Sequence, residues 1–565
     1  MHERVIGMET EYGFSSLCAG GKPYSRGKAL ALLMSIAWKR LCSLRGRGMK
    51  GLFLENGARV YVDIGDHLEY CTPECTDPWE LVRQLLAGDR ILAELAGVAV
   101  GQDPELASAS FFKTNVDYSG ARTTWGSHEN YLHRASPLNL AAVLVPHLVS
   151  RVIYTGAGGF DVGSPGLVFS LSPRVHHLQG VISKESTGRR GIVHSKDESL
   201  SSDGYHRLHL ICGESLSSHR AAWLKVATTA LVVALVEAGI ASERGGLKLR
   251  GPLGAMEVFS RDTACRERVP LAPGIELTAA QIQRHYLELA EGSLDSPFMP
   301  PWAEAICREW RRVLDALDED PEGLSRTLDW RIKLSLYRDH ARRRGFPPER
   351  VTAWNDIVAG LETARGKLGK ARSGEDDPVP LVDLALSTRS PIRAEVKELD
   401  PLLRKAGLAW SELPSFLELR QELFELDMRF GQLGEEGIFQ RLDEAGLLEH
   451  RVEGVRDIDR ARREPPPTSR ARLRGETIRR LRRQRKKAES YCDWRCVWDL
   501  KRKKRLDLSD PFATEERWSP MPDPDFTDEP PPDICSVRSL PAGLRDLLRV
   551  MRHRAFPRLR GRLGT

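Results

Sequence analysis

The chain is poor in the features that mark secreted scaffolds, membrane spans and the commonest nucleotide-binding folds. Ten cysteines are spread over 565 residues, too sparsely for a small disulfide-rich secreted domain. The C-x3-C pairs Cys71/Cys75 and Cys492/Cys496 lack the tighter, multiply repeated spacing that zinc sites favour, so reduced thiols are expected. No uncharged apolar run reaches the ~20 residues that cross a bilayer. The most hydrophobic stretch, "WLKVATTALVVALVEAGIA", is interrupted by Lys225 and Glu237 and reads as a buried helix ending near Gly239. The N-terminus opens on a strand pattern without a basic–apolar–cleavage sequence, so a cytoplasmic location is expected. Also absent are a G-x-x-x-x-G-K-[ST] loop, the kinase signature set and a G-x-S-x-G elbow. A bound nucleotide would have to be held by the sheet itself.

What is present is the composition of a globular protein large enough for more than one domain: 63.3 kDa, 41% hydrophobic, 29% charged, net charge +6. Strand and helix patterns alternate over 1–345. Residues 346–408 are charge-rich and read as a helical insertion. Residues 409–510 read as a small C-terminal domain, and 511–565 as a proline-rich linker with a basic tail. The basic runs "IRRLRRQRKK", "LKRKKRLDL" and "MRHRAFPRLRGRLGT" fit solvated helix faces or electrostatic capture of an acidic partner. A nucleic-acid-binding protein with an inert core is the rival from another class, but no zinc finger, RNA-recognition motif or helix-turn-helix supports it.

Four segments carry a polar side with an unusual composition. In "RVIGMETEYG" (4–13) a strand places Ile6, Met8 and Tyr12 on one face and Glu9 and Glu11 on the other. Adjacent carboxylates repel unless water, a cation or basic side chains compensate. "ARVYVDIGDHLEY" sets Arg59, Tyr61 and Asp63 opposite Val60, Val62 and Ile64; Gly65 bends the chain, and His67 and Glu69 follow. "FFKTNVDY" is read as a third strand with Lys113, Asn115 and Asp117 on its polar side, and "HRLHLIC" as a fourth carrying Arg207 and His209. Alternation alone would fit a sheet with one solvated face. The residue types instead suit joint binding of hard cations by carboxylates and of phosphates by guanidinium groups.

Six blocks, "GMETEYG", "NGARVYVDIGDHLEY", "GSHENY", "YHRLHLICGE", "LDWRIK" and "SRARLRGE", occur in the order found in the Pup ligase/Pup deamidase family, which the chain resembles. That family is related to glutamine synthetase. The resemblance implies an α+β fold: a glutamine-synthetase-like twisted antiparallel sheet flanked by helices, with a small C-terminal domain packed against it. It implies an enzyme that uses ATP and Mg²⁺. Its partners would be a small, acidic, Pup-like modifier ending in glutamate and the lysine-bearing proteins to which the modifier is joined. By position, Glu9, Tyr61 and Glu69 would hold magnesium, Arg59, Thr72 and Trp494 would contact ATP, and Asp63 would be the catalytic base. Glu11, His128, Glu129, Asn130, Arg207 and His209 are candidate site lining.

The family has a ligating arm and a hydrolytic, deamidating arm. The hydrolytic arm generally carries a long insertion between the first strand and the "NGAR" strand; here that interval holds one amphipathic helix. "DIGDHLEY" keeps the ligase-like extra residue before His67, whereas "EYCTPECTDP" and "GSHENY" look more like the hydrolytic arm. The balance favours a ligase. A small-molecule γ-glutamyl–amine ligase is a third reading. His67-Leu68-Glu69 replaces the family's His-Pro-Glu, and "DESLSSD" (197–203) lacks the Pro and His common there.

Overall fold

The structure, a computed structural model, describes residues 4–48, 50–63, 65–119, 123–185, 188–195, 200–201, 204–243, 246–371, 396–483 and 490–521. Most of the expected linker and tail, the middle of the insertion and most of "DESLSSD" lie outside the described residues.

Fourteen strands form one sheet. In chain order they are β1 (Ile6–Leu17), β2 (Ser43–Gly46), β3 (Leu52–Leu54), β4 (Arg59–Val62), β5 (Leu68–Cys71), β6 (Ser108–Phe112) and β7 (Ser127–His133), then β8 (Gly180–Ser183), β9 (Gly191–His194), β10 (His206–Leu210), β11 (Ser490–Cys492), β12 (Cys496–Asp499), β13 (Lys504–Asp507) and β14 (Trp518–Pro520). Their spatial order is β8-β9-β10-β7-β1-β5-β4-β3-β2-β11-β12-β13-β14, with β6 on the distal half of β1. Two neighbouring pairs, β8/β9 and β2/β11, are parallel and the rest antiparallel. The expected antiparallel sheet is therefore a mixed one. The C-terminal strands continue it: Tyr491 and Cys492 pair with Arg45 and Gly46. This satisfies backbone groups that an open β2 edge would leave to solvent.

Helices cover the apolar face. α1 (Arg26–Arg40) packs there, as do α2 (Pro78–Val100), capped by Asp77, α3 (Pro137–Ser150) and α4 (His219–Glu237). Ile6 and Met8 join one core cluster with α2, α3 and α4; Tyr12 joins a second with α1 and α2. Helix α4 is the expected apolar segment. Among the described residues it is the one helix long and apolar enough to cross a membrane, and 89% of that window is buried inside the protein. Gly239, at φ +80°, ends it.

Further helices are α5 (Asp329–Arg343), α6 (Pro348–Ala371) and α7 (Leu413–Phe430). They share a third core that includes Tyr337, Trp354 and Phe416. The described parts of 346–408 thus pack onto the remainder of the chain. Asp427 of α7 is buried there and accepts hydrogen bonds from Tyr118 (2.7 Å) and Tyr337 (2.6 Å), with Lys333 at 2.7 Å. Finally α8 (Arg470–Arg483) packs Leu473, Ile478 and Leu481 on Leu44, Phe53 and Val497.

The third expected strand is shorter than its pattern. β6 ends at Phe112, where the Lys113 amide turns to the Gly431 carbonyl (2.7 Å). Lys113 is buried against Asp89 (2.5 Å), and Asn115 exchanges hydrogen bonds with the Ser215 backbone (2.7 and 3.2 Å). These polar side chains hold the scaffold together.

Candidate functional site

Strands β1, β5 and β4 carry an acidic centre. Register sets Glu11 directly across from Glu69, and Glu69 across from Tyr61. Directly opposed residues in an antiparallel pair project from the same face. Asp63 follows β4 in a turn in which its amide donates to the His67 carbonyl (2.8 Å) and Asp66 adopts φ +55°. That turn brings Asp63 to the other two: one carboxylate oxygen each from Glu11, Asp63 and Glu69 all lie within 4.8 Å of one another. Burial pushes the Glu69 carboxyl well above the usual range, and the charges of Glu9 and Glu11 add to this; the neighbouring Tyr61 hydroxyl works the other way. Burial, with Cys71, Glu69 and Glu9 around it, keeps the Tyr61 phenol protonated. Mutually repelling carboxylates of this kind are relieved by a divalent cation, whose preferred ligands are oxygens. The residues present fit magnesium.

A second cluster lies beside the first. Glu9 is across from His128, and His209 across from Asn130. Ligand atoms of Glu9, His128 and His209 again fall within 4.8 Å of each other. Asn130 donates to Glu9 (3.1 Å), and Arg207 Nη1 stands 3.7 Å from it. Burial works against the Glu9 carboxylate, but His209 once protonated in acid solution, together with His128 and Arg207, overcomes it and holds the group well below the usual carboxylate range. Burial pushes His209 down to about 3, so its ring is neutral near pH 7. Arg207 is the permanent charge of the three. Both His209 ring nitrogens are buried without a hydrogen-bond partner among the described residues. Buried polar atoms are rarely left so, and a neutral imidazole in this position suits a cation.

Glu9 also borders a cavity whose walls include Thr72, Asn130, Arg207, Arg470 and Trp494. Thr72 Oγ1 accepts from the Met8 amide (3.0 Å), which fixes the hydroxyl beside β1. Trp494 packs edge-on to Phe53, ring centres 5.2 Å apart. Arg59 is on the same sheet face as Tyr61, with its guanidinium carbon 3.9 Å from that ring's centre and Nη2 donating to the Lys50 carbonyl (2.6 Å). The structure therefore gathers Glu9, Glu11, Arg59, Tyr61, Asp63, Glu69, His128, Asn130, Arg207 and His209 on one sheet face, and sets Thr72 and Trp494 at the cavity that Glu9 borders.

Glu129 does not join them, which corrects its expected place in the site lining. It stands across from Met8 and Leu210, facing the helices. There it is fully buried and pairs with Arg151 (2.6 and 2.8 Å), while Tyr131 donates to it at 2.6 Å. A lone carboxylate under the sheet would be prohibitive; paired with Arg151 it is tolerated.

Several site neighbours escaped the sequence. Cys71 lies between Glu9 and Arg59 on the same face and points its thiol at Glu69 (3.6 Å); its parity with Glu69 was the available signal. His194 is across from His209, rings 5.3 Å apart. Gly126 donates its amide to Glu11 (2.7 Å), and a Cβ there would stand 2.6 Å from His128 Nε2 and 2.9 Å from Arg174 Nη2. A larger residue there would push the His128 and Arg174 side-chain ends aside.

With this geometry in view, comparison with known proteins decides the family. The family model described as "Pup-ligase protein" matches residues 4–356 and 396–498. This chain belongs to the Pup-ligase family. Within it, the chain is 40% identical over 306 residues to the Pup deamidase/depupylase of Mycolicibacterium smegmatis, a match covering 53% of this chain and 60% of that protein. It spans under two thirds of the length of the mycobacterial relatives it matches. It is 30% identical to the Pup–protein ligase of Acidimicrobium ferrooxidans over 528 residues, 91% of this chain and 96% of that one. Among solved structures, the complex between prokaryotic ubiquitin-like protein Pup and its ligase PafA is similar with a TM-score of 0.66 and 22% identity, covering 99% of both chains. The Pup-ligase fold, a curled mixed sheet flanked by helices, is the fold of this chain.

Proposed function

We propose that this chain is an ATP-dependent carboxylate–amine ligase. It joins the side-chain carboxylate of a C-terminal glutamate on a small, acidic, Pup-like modifier to lysines of target proteins. The observation that carries this reading is the convergence of two cation-suited clusters, Glu11/Asp63/Glu69 and Glu9/His128/His209, on one sheet face that also carries Arg59 and Arg207, with Glu9 and Arg207 bordering a cavity. The near end-to-end match to a Pup–protein ligase supports it.

In this reading Glu9, Tyr61 and Glu69 would hold Mg²⁺ with Glu11 beside them, and Arg59, Thr72 and Trp494 would contact ATP. When bound, magnesium-bound ATP would supply the phosphoryl group for an acyl phosphate on the modifier's carboxylate, with ADP as the leaving group. Arg59 and Arg207 offer forked donors to phosphoryl oxygens and offset their charge. Tyr61, directly across from Glu69 on the neighbouring strand, flanks that carboxyl on the site face. A lysine ammonium is no nucleophile; Asp63 attracts it and takes its proton. The amine nitrogen then bonds to the acyl carbon, and phosphate departs with the electrons of the broken C–O bond. The nine described cysteines are free thiols, in keeping with a cytoplasmic setting.

The 40% identity to a depupylase favours a second reading, in which the same face directs water at the isopeptide or side-chain amide bond. One experiment separates them. Purified protein is given ATP, Mg²⁺ and either a Glu-ending modifier with an acceptor protein or a preformed conjugate. A ligase makes the isopeptide-linked product, whereas release of modifier alone assigns the chain to the hydrolytic arm.

A further inference from the structure

Two arginines one helical turn apart on α8, Arg470 and Arg474, converge on a single carboxylate, Glu74. Arg470 Nε donates to Glu74 Oε1 at 2.7 Å, Arg474 Nη1 to the same oxygen at 3.2 Å, and Arg474 Nη2 to Oε2. Arg474 is fully buried and Arg470 nearly so. Glu74 follows β5 directly, two residues after Thr72 and five after Glu69. The Arg474 fork does two further things. Its Nη1 donates to the Trp494 carbonyl (3.3 Å), and its guanidinium carbon lies 4.8 Å from the centre of the Trp494 ring. Its Nε donates to the Gly57 carbonyl (3.1 Å), just before β4. Arg470 meanwhile lines the cavity that Trp494 borders and donates to the Leu508 carbonyl (2.8 Å).

We propose that Arg474, anchored by Glu74, is a positioning residue that sets Trp494 against the strands that carry the acidic clusters and so determines how tightly the cavity takes a nucleotide. The proposal rests on the nucleotide reading above and extends it to a residue that touches neither ATP nor the reacting atoms. Three requirements fall on one guanidinium. It must neutralise a buried carboxylate, hold the Trp494 backbone and face the Trp494 ring. Lysine, a point charge with no planar fork, meets the first alone. The close docking of α8 keeps the node rigid: a Cβ on Gly475 would stand 2.3 Å from the Glu55 carbonyl oxygen, so the helix backbone lies directly against the β3–β4 turn. Glu74 also accepts at its backbone carbonyl from Ser469 Oγ (2.6 Å), which ties the same turn to the start of α8.

The test is ADP affinity with Mg²⁺, measured by calorimetry on the full chain. The proteins are wild type, Arg474→Gln, Arg474→Lys, Trp494→Ala and the double variant Arg474→Gln/Trp494→Ala, each checked for a cooperative melt. The expected result is ADP binding weakened about tenfold by Arg474→Gln, with little recovery in Arg474→Lys. In the Trp494→Ala background, Arg474→Gln should weaken binding less than twofold further, because its effect passes through the ring already removed. Turnover at saturating ATP should fall far less than affinity in Arg474→Gln. If Arg474→Gln weakens ADP equally with and without Trp494, the positioning role is wrong while the nucleotide site stands. If a variant melts non-cooperatively, the same cycle is run with Glu74→Asp in place of Arg474→Gln, and equal losses in both backgrounds again overturn the proposal. Wild type that binds no ADP overturns the nucleotide reading and this inference with it.

Discussion

At the scale of single residues, sheet parity separates groups proposed to do chemistry from groups that hold the fold. Asp63 and Glu129 are both acidic and both lie near the site, yet one faces the metal-suited cluster and the other faces Arg151. Substitution should separate them. Asp63→Asn should lower conjugation 10²–10⁴-fold, the usual contribution of a general base, with ATP binding retained; normal conjugation would remove Asp63 from that role. Glu129→Gln should instead destabilise the fold by about 3–5 kcal/mol, because Arg151 would be left buried and unpaired. An unchanged melting temperature for Glu129→Gln would contradict the buried-pair account. The alternation of "GMETEYG" was enough to place Glu9 and Glu11 away from Ile6, Met8 and Tyr12. The same rule, applied to "GSHENY", also separates Glu129 from His128 and Asn130. The signal was present there; only the partner Arg151, far away in sequence, was not.

At the scale of elements, the sequence revealed strands where the pattern is local and failed where a distant segment decides the boundary. Helix α4 was legible from its apolar run and terminal glycine. The strand read into "FFKTNVDY" was cut short by Gly431, some three hundred residues on, and no local pattern announces that. The α8 node is an intermediate case: Arg470 and Arg474 at i and i+4 promise a two-armed basic face, but not Glu74 as its target. Burial works against the Glu74 carboxylate, yet Arg474 and Arg470 outweigh that and hold it down to about 2, against an ordinary 4.5. A folded value below the unfolded one adds stability that is complete above the unfolded value and disappears as pH falls through the window from 4.5 to about 2. The melting-temperature gap between wild type and Glu74→Gln should therefore be constant above about pH 5 and narrow in more acid solution. A gap that stays the same down to the acid transition would contradict the assigned pair. Gly475→Ala should be destabilising by about 1–3 kcal/mol, by forcing α8 off the Glu55 carbonyl; a variant as stable as wild type would show that the helix has room to spare.

At the scale of the whole molecule, one sheet unites segments more than four hundred residues apart. β1, β5 and the turn after β4 supply the acidic centre, β7 and β10 the imidazoles, and the C-terminal strands extend the same sheet from the β2 edge. The fold class was legible because the ordered blocks pointed to a known family. The parallel join of β11 to β2 was not, since pairing of edges leaves no periodic mark in either strand. The central claim is that this face activates a glutamate side chain for attack by lysine. The most direct measurement incubates the protein with ATP, Mg²⁺, an acidic modifier ending in glutamate and a lysine-bearing acceptor, then locates the new bond by mass spectrometry. The account predicts an isopeptide between the terminal glutamate side chain and a lysine, with ADP and phosphate formed in step with it. ATP left intact with no conjugate, while the same preparation strips modifier from a preformed conjugate, would contradict it.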